Sequence, residues 1–335
     1  MKKSRKIALL LTVSIIISLF LPSFAGGNPI NFTISTDSVI RSEYCERFIS
    51  LVEEASNRKY TGTLYAQNSL GPAADMAQMI QLGTLDFCFN DDMSIDGILN
   101  GALGFAWLPG LVSDYEEADK FYQFGWIADQ VAKIMRENNI VRISSMCNGF
   151  RQVGNVKREV KELSDLAGLK IRTPSVPSVV TFYEKCGALP VMIAGAEVLS
   201  ALQTGTVDGL DNAVFNYINQ GITDVIKYIT EINYCYSGAC FVASPTFWDA
   251  LSDEDQAMFK NCAQQASDEF TAFFRKTTSD LQNEGSESGQ WIVSQPSEEM
   301  KAELQKIYEE IWEESVDLYP AEIMDTIRSG KYKDF

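Results

Sequence analysis

The sequence predicts an α/β fold built as two successive units. Short extended and helical patterns alternate from residue 31 onward, and the alternation restarts after a break near residues 147–151. A third observation, the proline-free stretch between Pro245 and Pro296 with helical periodicity, predicts one long helix able to touch both units.

Asn31–Thr36 alternates as a strand, and Glu43–Ser56 places Tyr44, Phe48, Ile49 and Val52 on one helical face. Thr61–Ala66 is again extended. Gly71-Pro72 opens a helix carrying Met76, Met79 and Ile80, and Gly83-Thr84 leads into the strand Leu85–Asn90. Such β-α-β units imply a parallel, helix-covered sheet. Tyr115–Asn138 reads as a longer helix, followed by the strand Ile140–Met146.

The second unit opens with a helix over Arg158–Leu166, stopped near Gly168, and the strand Leu169–Thr173 ends against Pro174 and Pro177. Val179–Cys186, Leu189–Ile193, Ala196–Thr204 and Val207–Asp211 continue the alternation. Ser252-x-x-Asp255 then caps the long helix, which is expected to run to about Glu284, and Ser297–Arg328 reads as a packing helix with an acidic outer face.

Composition narrows the function. With no histidine in 335 residues, Ser-His-Asp and Cys-His catalysis, His-ligated zinc and imidazole switches are excluded. Lys2, Lys3, Arg5 and Lys6 before the apolar run Ile7–Leu21, with small residues at Pro22–Ala25, read as an export signal comprising residues 1–25. Its removal leaves 24 basic against 45 acidic side chains, a charge of −21. That excess opposes binding to nucleic acid or an anionic membrane. An anionic ligand would need locally placed arginines. Seven cysteines leave at least one thiol unpaired, and Cys235 with Cys240 forms either a disulfide or two buried thiols.

In open α/β sheets ligands bind beyond the carboxyl ends of strands, so candidate residues should follow strands. Arg172 ends a strand before a rigid proline turn; its planar guanidinium could hold a carboxylate through two parallel bonds, or pair with a neighbouring acid. Arg151 and Asn212 also follow strands and are either ligand contacts or turn residues. Ser35 and Asn90-Asp91-Asp92 hold the corresponding positions in the first unit, where a solvated turn is the alternative.

Gly168-Leu-Lys-Ile-Arg-Thr-Pro174, Glu197-Val-Leu-Ser-Ala-Leu-Gln-Thr-Gly-Thr-Val-Asp-Gly-Leu-Asp-Asn212 and Phe247-Trp-Asp-Ala-Leu-Ser252 strongly resemble the solute-binding proteins of tripartite ATP-independent periplasmic (TRAP) transporters, the DctP-like family. Ser69-Leu-Gly71 and Gln81-Leu-Gly-Thr-Leu-Asp86 match as well, and the resemblance covers nearly all of residues 30–325. It implies a two-lobed periplasmic binding protein fold with a ligand cleft between the lobes and a long helix bridging them. Lobe I is expected over 26–149 with about 238–277, and lobe II over 150–237 with about 278–335.

By the same resemblance Arg172 is the carboxylate-holding arginine, Arg151 its support and Asn212 the amide completing the clamp, with Asp91 and Ser35 contacting the ligand from the opposite lobe. Phe215, shortly after Asn212, is counted with this ligand-binding set. The implied function is capture of an organic acid and its delivery to integral-membrane TRAP permease subunits, by a monomer without cofactor, metal or enzymatic activity. A receptor for an ATP-driven importer, a sensor module and a secreted enzyme are the alternatives. The sequence departs from the family at Gly195, where many members carry a bulky aromatic, and at Pro72-Ala73, which implies a pocket roomier or differently shaped than one for a small dicarboxylate.

Overall fold

A computed structural model of the chain describes residues 28–66 and 69–334. The expected export signal lies outside the described residues. Strand β1 (Ile30–Thr36) pairs in parallel with β2 (Tyr60–Tyr65) on one side and β3 (Phe87–Asp91) on the other. The helix Val39–Ala55 connects the first pair, and Ala73–Leu82 leads on to β3. The first of these helices starts ahead of the expected Glu43, because the Ser38 hydroxyl accepts the Arg41 N–H and caps its amino end.

Strands β4 (Val141–Arg142) and β5 (Met146–Phe150) both pair with β11 (Tyr236–Ala243), which runs antiparallel between them and β3. The second sheet comprises β6 (Gln152–Asn155), β7 (Lys170–Thr173), β8 (Leu189–Met192), β9 (Gly209–Asn212), β10 (Tyr228–Thr230) and β12 (Ile292–Ser294), in the order β12-β10-β6-β9-β7-β8. The chain therefore passes from sheet to sheet between β5 and β6, and back between β10 and β11. Arg151 is the single residue between β5 and β6.

Phe32, Phe48, Phe87 and Phe259 form the aromatic centre of the first lobe, with Phe87 and Phe259 stacked at 5.2 Å. Phe259 comes from the long helix, Asp253–Glu287, whose first turn is capped by the Ser252 hydroxyl. Further along, Phe274 packs on Phe215, and Gly285 lies against Trp291 beside the second sheet. One rigid element thus contributes to the cores on both sides.

Four expected elements differ, the last of them Ser297–Arg328, which is two helices, Glu298–Glu314 and Ala321–Arg328, parted ahead of Pro320. Tyr115–Asn138 is not one helix: a π-helical turn over Ala118–Gln123 stops at Phe124, and after Gly125 a second helix spans Trp126–Glu137. A Cβ on Gly125 would stand 2.4 Å from the Lys120 carbonyl, so the sharp turn requires glycine. Arg158–Leu166 forms just one 3-10 turn, Leu163–Leu166, because the Asn155 side chain accepts the Lys157 and Arg158 N–H groups and holds the preceding chain outside helical geometry. The expected strand Ile140–Met146 is split between β4 and β5, where Gln264 of the long helix accepts the Ser145 N–H.

All seven cysteines are buried and unbridged. The Cys235 thiol points to the Trp107 carbonyl while that of Cys240 donates to Asp92, so the two face different neighbours.

Candidate functional site

The carboxyl ends of β1 and β3 in one lobe, and of β7 and β9 in the other, bring the candidate residues together. In register, Arg172 lies opposite Leu210 of β9, and Asn212 opposite Gln152 of the antiparallel β6. The chain entering β6 therefore delivers Arg151 to the end of β9.

Arg151 is 4 % exposed and tightly held. Its Nε donates to Asp211 Oδ2 at 2.6 Å, and its Nη2 to the Asp211 carbonyl at 2.8 Å. Tyr183 and Tyr234 both donate phenolic protons to Asp211 Oδ1, at 3.1 and 2.9 Å. Burial, reinforced by the Asp211 charge, raises both phenols well above their ordinary range, so they remain donors. Burial disfavours the Arg151 cation, but Asp211 reverses the balance and holds the guanidinium above its usual value. Its Nη1 reaches 3.5 Å to Met93 of the first lobe, which places this arginine at the junction of the lobes.

Arg172 stands in contrast. It is 6 % exposed, its Nε donates to the Ile193 carbonyl at 2.7 Å, and no carboxylate among the described residues forms an ion pair with it. Burial and then the neighbouring Arg151 charge push it down to about 10, with Asp211 and Asp91 offsetting in part. At neutral pH it is a buried cation whose Nη1 and Nη2 have no anionic partner among the described residues.

Asn212 is oriented by its neighbours. Its Oδ1 accepts the Ala213 N–H at 2.9 Å and Asn216 Nδ2 at 3.1 Å, leaving Nδ2 to donate to Gln220 Oε1 at 3.3 Å. Across the gap, Asp91 caps the helix Asp92–Ile98 by accepting from the Ser94 N–H and hydroxyl, both at 2.9 Å, and lies 3.7 Å from Arg41.

Two candidates stand differently. Ser35 is fully buried, and its hydroxyl donates to the Tyr65 carbonyl at 2.7 Å inside the first lobe. Phe215 is 1 % exposed, with its ring 4.4 Å from that of Phe274 on the long helix. Sequence reasoning missed Arg41, which bonds Asp37 and Asn148, and Gln220, which completes the amide pair. The i,i+4 spacing of Asp37 and Arg41 was a readable signal; nothing local marks Gln220.

Two cavities lie elsewhere. One of about 460 Å³ opens between Leu163 and Glu303, where Lys185 is already paired with Glu310 and Glu314. Another of about 200 Å³ lies beside Phe150, Ala213 and Phe274, where Arg275 is paired with Asp119. The lysine and arginine that line these cavities are both paired, so neither offers a free cation to an anion, and chemistry rather than volume singles out the strand ends around Arg172.

Two α/β lobes with an unpaired buried cation at their facing strand ends define a ligand-capturing protein rather than a scaffold. The chain belongs to the bacterial extracellular solute-binding protein family 7, whose model matches residues 31–317. The motif-based expectation of a TRAP solute-binding protein with a two-lobed fold is thereby met.

Among curated relatives, a solute-binding protein of Verminephrobacter eiseniae is 29% identical over 222 residues, 66% of each chain. The 2,3-diketo-L-gulonate-binding periplasmic protein YiaO of Escherichia coli is 27% identical over 221 residues, 66% of this chain and 67% of that one. Among solved structures, a TRAP periplasmic solute-binding protein of Ochrobactrum anthropi superposes with a TM-score of 0.81 at 26% identity, covering 90% of this chain and 94% of that one. Another, from Polaromonas sp. JS666 and bound to D-erythronate, gives 0.76 at 27% identity, covering 89% and 98%.

Proposed function

We propose that this protein captures a small organic carboxylate between its lobes outside the cytoplasm and delivers it to the membrane subunits of a TRAP-type transporter, acting as a monomer and without catalysis. The observation that carries this reading is Arg172: a buried guanidinium, unpaired among the described residues, with Nη1 and Nη2 available as a fork that fits both oxygens of a carboxylate. Asn212 supports the same ligand, Arg151 sets the field around it, and Asp91 faces it from the first lobe. Ser35 shapes that lobe's strand end, and Phe215 backs the second lobe against the long helix. Ligands named for relatives, 2,3-diketo-L-gulonate and D-erythronate, are acids of this kind.

The proposed lobes divide near residues 149 and 238, where the chain leaves and rejoins the first sheet, with the long helix passing between them. Export through a cleaved signal over residues 1–25 accords with a family described as extracellular. Closure about these crossings would exclude water from the cleft and strengthen each bond to the ligand's charge.

Thermal-shift screening of organic acids, followed by calorimetry, tests the reading. A micromolar ligand corresponds to about −8 kcal/mol. Arg172→Lys is expected to leave the ligand-free melting temperature in place and to weaken binding by about 2–5 kcal/mol, because a point charge cannot replace the fork. Unchanged affinity in that variant would refute the assignment.

A further inference from the structure

Building on that reading, we propose that Gln220 and Gly195 form a second, oxygen-accepting subsite beside Arg172, which selects carboxylates bearing a hydroxyl or oxo group on carbon 2. The orientation of the Gln220 amide follows from hydrogen-bond logic. The Ala213 N–H can only donate, so the Asn212 atom facing it is oxygen; Asn212 Nδ2 is then the atom directed at Gln220, and the atom receiving it is Oε1. Gln220 Nε2 is therefore turned away from Asn212, and no acceptor among the described residues takes its protons.

It is turned toward Gly195. A Cβ built on Gly195 would meet two atoms within 4 Å: Gln220 Nε2 at 3.6 Å and Arg172 Nη2 at 3.9 Å. The space above this glycine is thus open and bounded by two N–H donors, so it suits a ligand acceptor. Because Arg172 Nε is committed to the Ile193 carbonyl, a carboxylate must use Nη1 and Nη2, which engages both of its oxygens. The Gln220 proton then requires a further ligand oxygen, and the nearest carbon able to carry one is that adjoining the carboxylate. Any side chain at position 195 would occupy this space.

The test compares matched acids by calorimetry: 2-hydroxybutyrate with butyrate, 2-hydroxyvalerate with valerate, and D-gluconate with 2-deoxy-D-gluconate. The wild-type protein should prefer the 2-hydroxy member of at least one pair by about tenfold, as expected for a hydrogen bond in a desolvated site. Gln220→Leu should erase that preference by weakening the 2-hydroxy member about tenfold more than the plain acid, whose binding falls only as far as Asn212 loses its amide partner. Gly195→Ala should reduce the preference independently, and its ligand-free melting temperature should stay in place, since the position is open. Binding of the plain acids with equal or greater affinity, or a preference that survives in Gln220→Leu, would overturn this inference and leave the carboxylate reading standing. Failure of all six acids to bind, or binding undiminished in Arg172→Lys, would overturn both.

Discussion

Arg172 and Arg151 share a strand-end neighbourhood but differ in compensation. Asp211, fixed by two phenols, neutralises Arg151, so the remaining local charge belongs to Arg172. One pKa unit corresponds to about 1.4 kcal/mol, so a guanidinium depressed to about 10 carries a burial cost that a bound anion would relieve. Asp96 shows the same physics with the opposite sign. Burial, opposed by the Leu103 N–H at 2.6 Å and assisted by Asp92, pushes its carboxyl up to about 6. Because the folded value exceeds the ordinary 3.8, the folded state takes up this proton first. The group's stabilising contribution is complete below pH 3.8 and is lost as pH rises through about 6. Asp96→Asn should therefore raise stability at pH 7.5 by roughly 1–3 kcal/mol and leave it nearly unchanged at pH 4, measured by urea unfolding. No gain at pH 7.5 would count against a charged, buried Asp96. At this scale the sequence made Arg172 legible because a strand and a proline turn bracket it. Gln220 was not legible, since its role depends on an amide orientation set by Asn212 and on open space over a residue distant in sequence.

At the scale of elements, the long helix is the feature whose packing bears most on lobe movement. Gly149 lies on β5 just before the crossing, at φ 88°, and a Cβ there would stand 2.7 Å from the Phe274 ring. Both the left-handed backbone and the close approach exclude larger residues. Gly149→Ala is expected to destabilise the protein by about 1–3 kcal/mol in urea unfolding, whereas the same change at solvent-facing Gly97, with nothing within 4 Å of its Cβ position, should cost far less. Equal effects at the two sites would show that Gly149 is not constrained by the helix. Periodicity located the long helix and most strands because apolar spacing is local. It failed where side chains captured backbone groups, as Asn155 does ahead of Leu163, and where Gly125 folds the chain back on its own carbonyls.

For the whole molecule, net negative charge and a local cation pull in opposite directions. A chain carrying 45 acidic against 28 basic residues repels anions at long range, so capture must rest on short-range, desolvated contacts at the strand ends. In the proposed site the two sheets would supply these contacts from opposite sides, Asp91 from one and Arg172 with Asn212 from the other. The alternation of strands and helices announced two units, whereas the route of β11 back into the first sheet depends on long-range pairing that no local pattern encodes. A crystal structure of the protein loaded with an acid identified by screening tests the central claim most directly. The account predicts both carboxylate oxygens within about 2.7–3.0 Å of Arg172 Nη1 and Nη2, with the lobes closed over them. A solute seated elsewhere, with Arg172 turned onto a protein carboxylate, would contradict it.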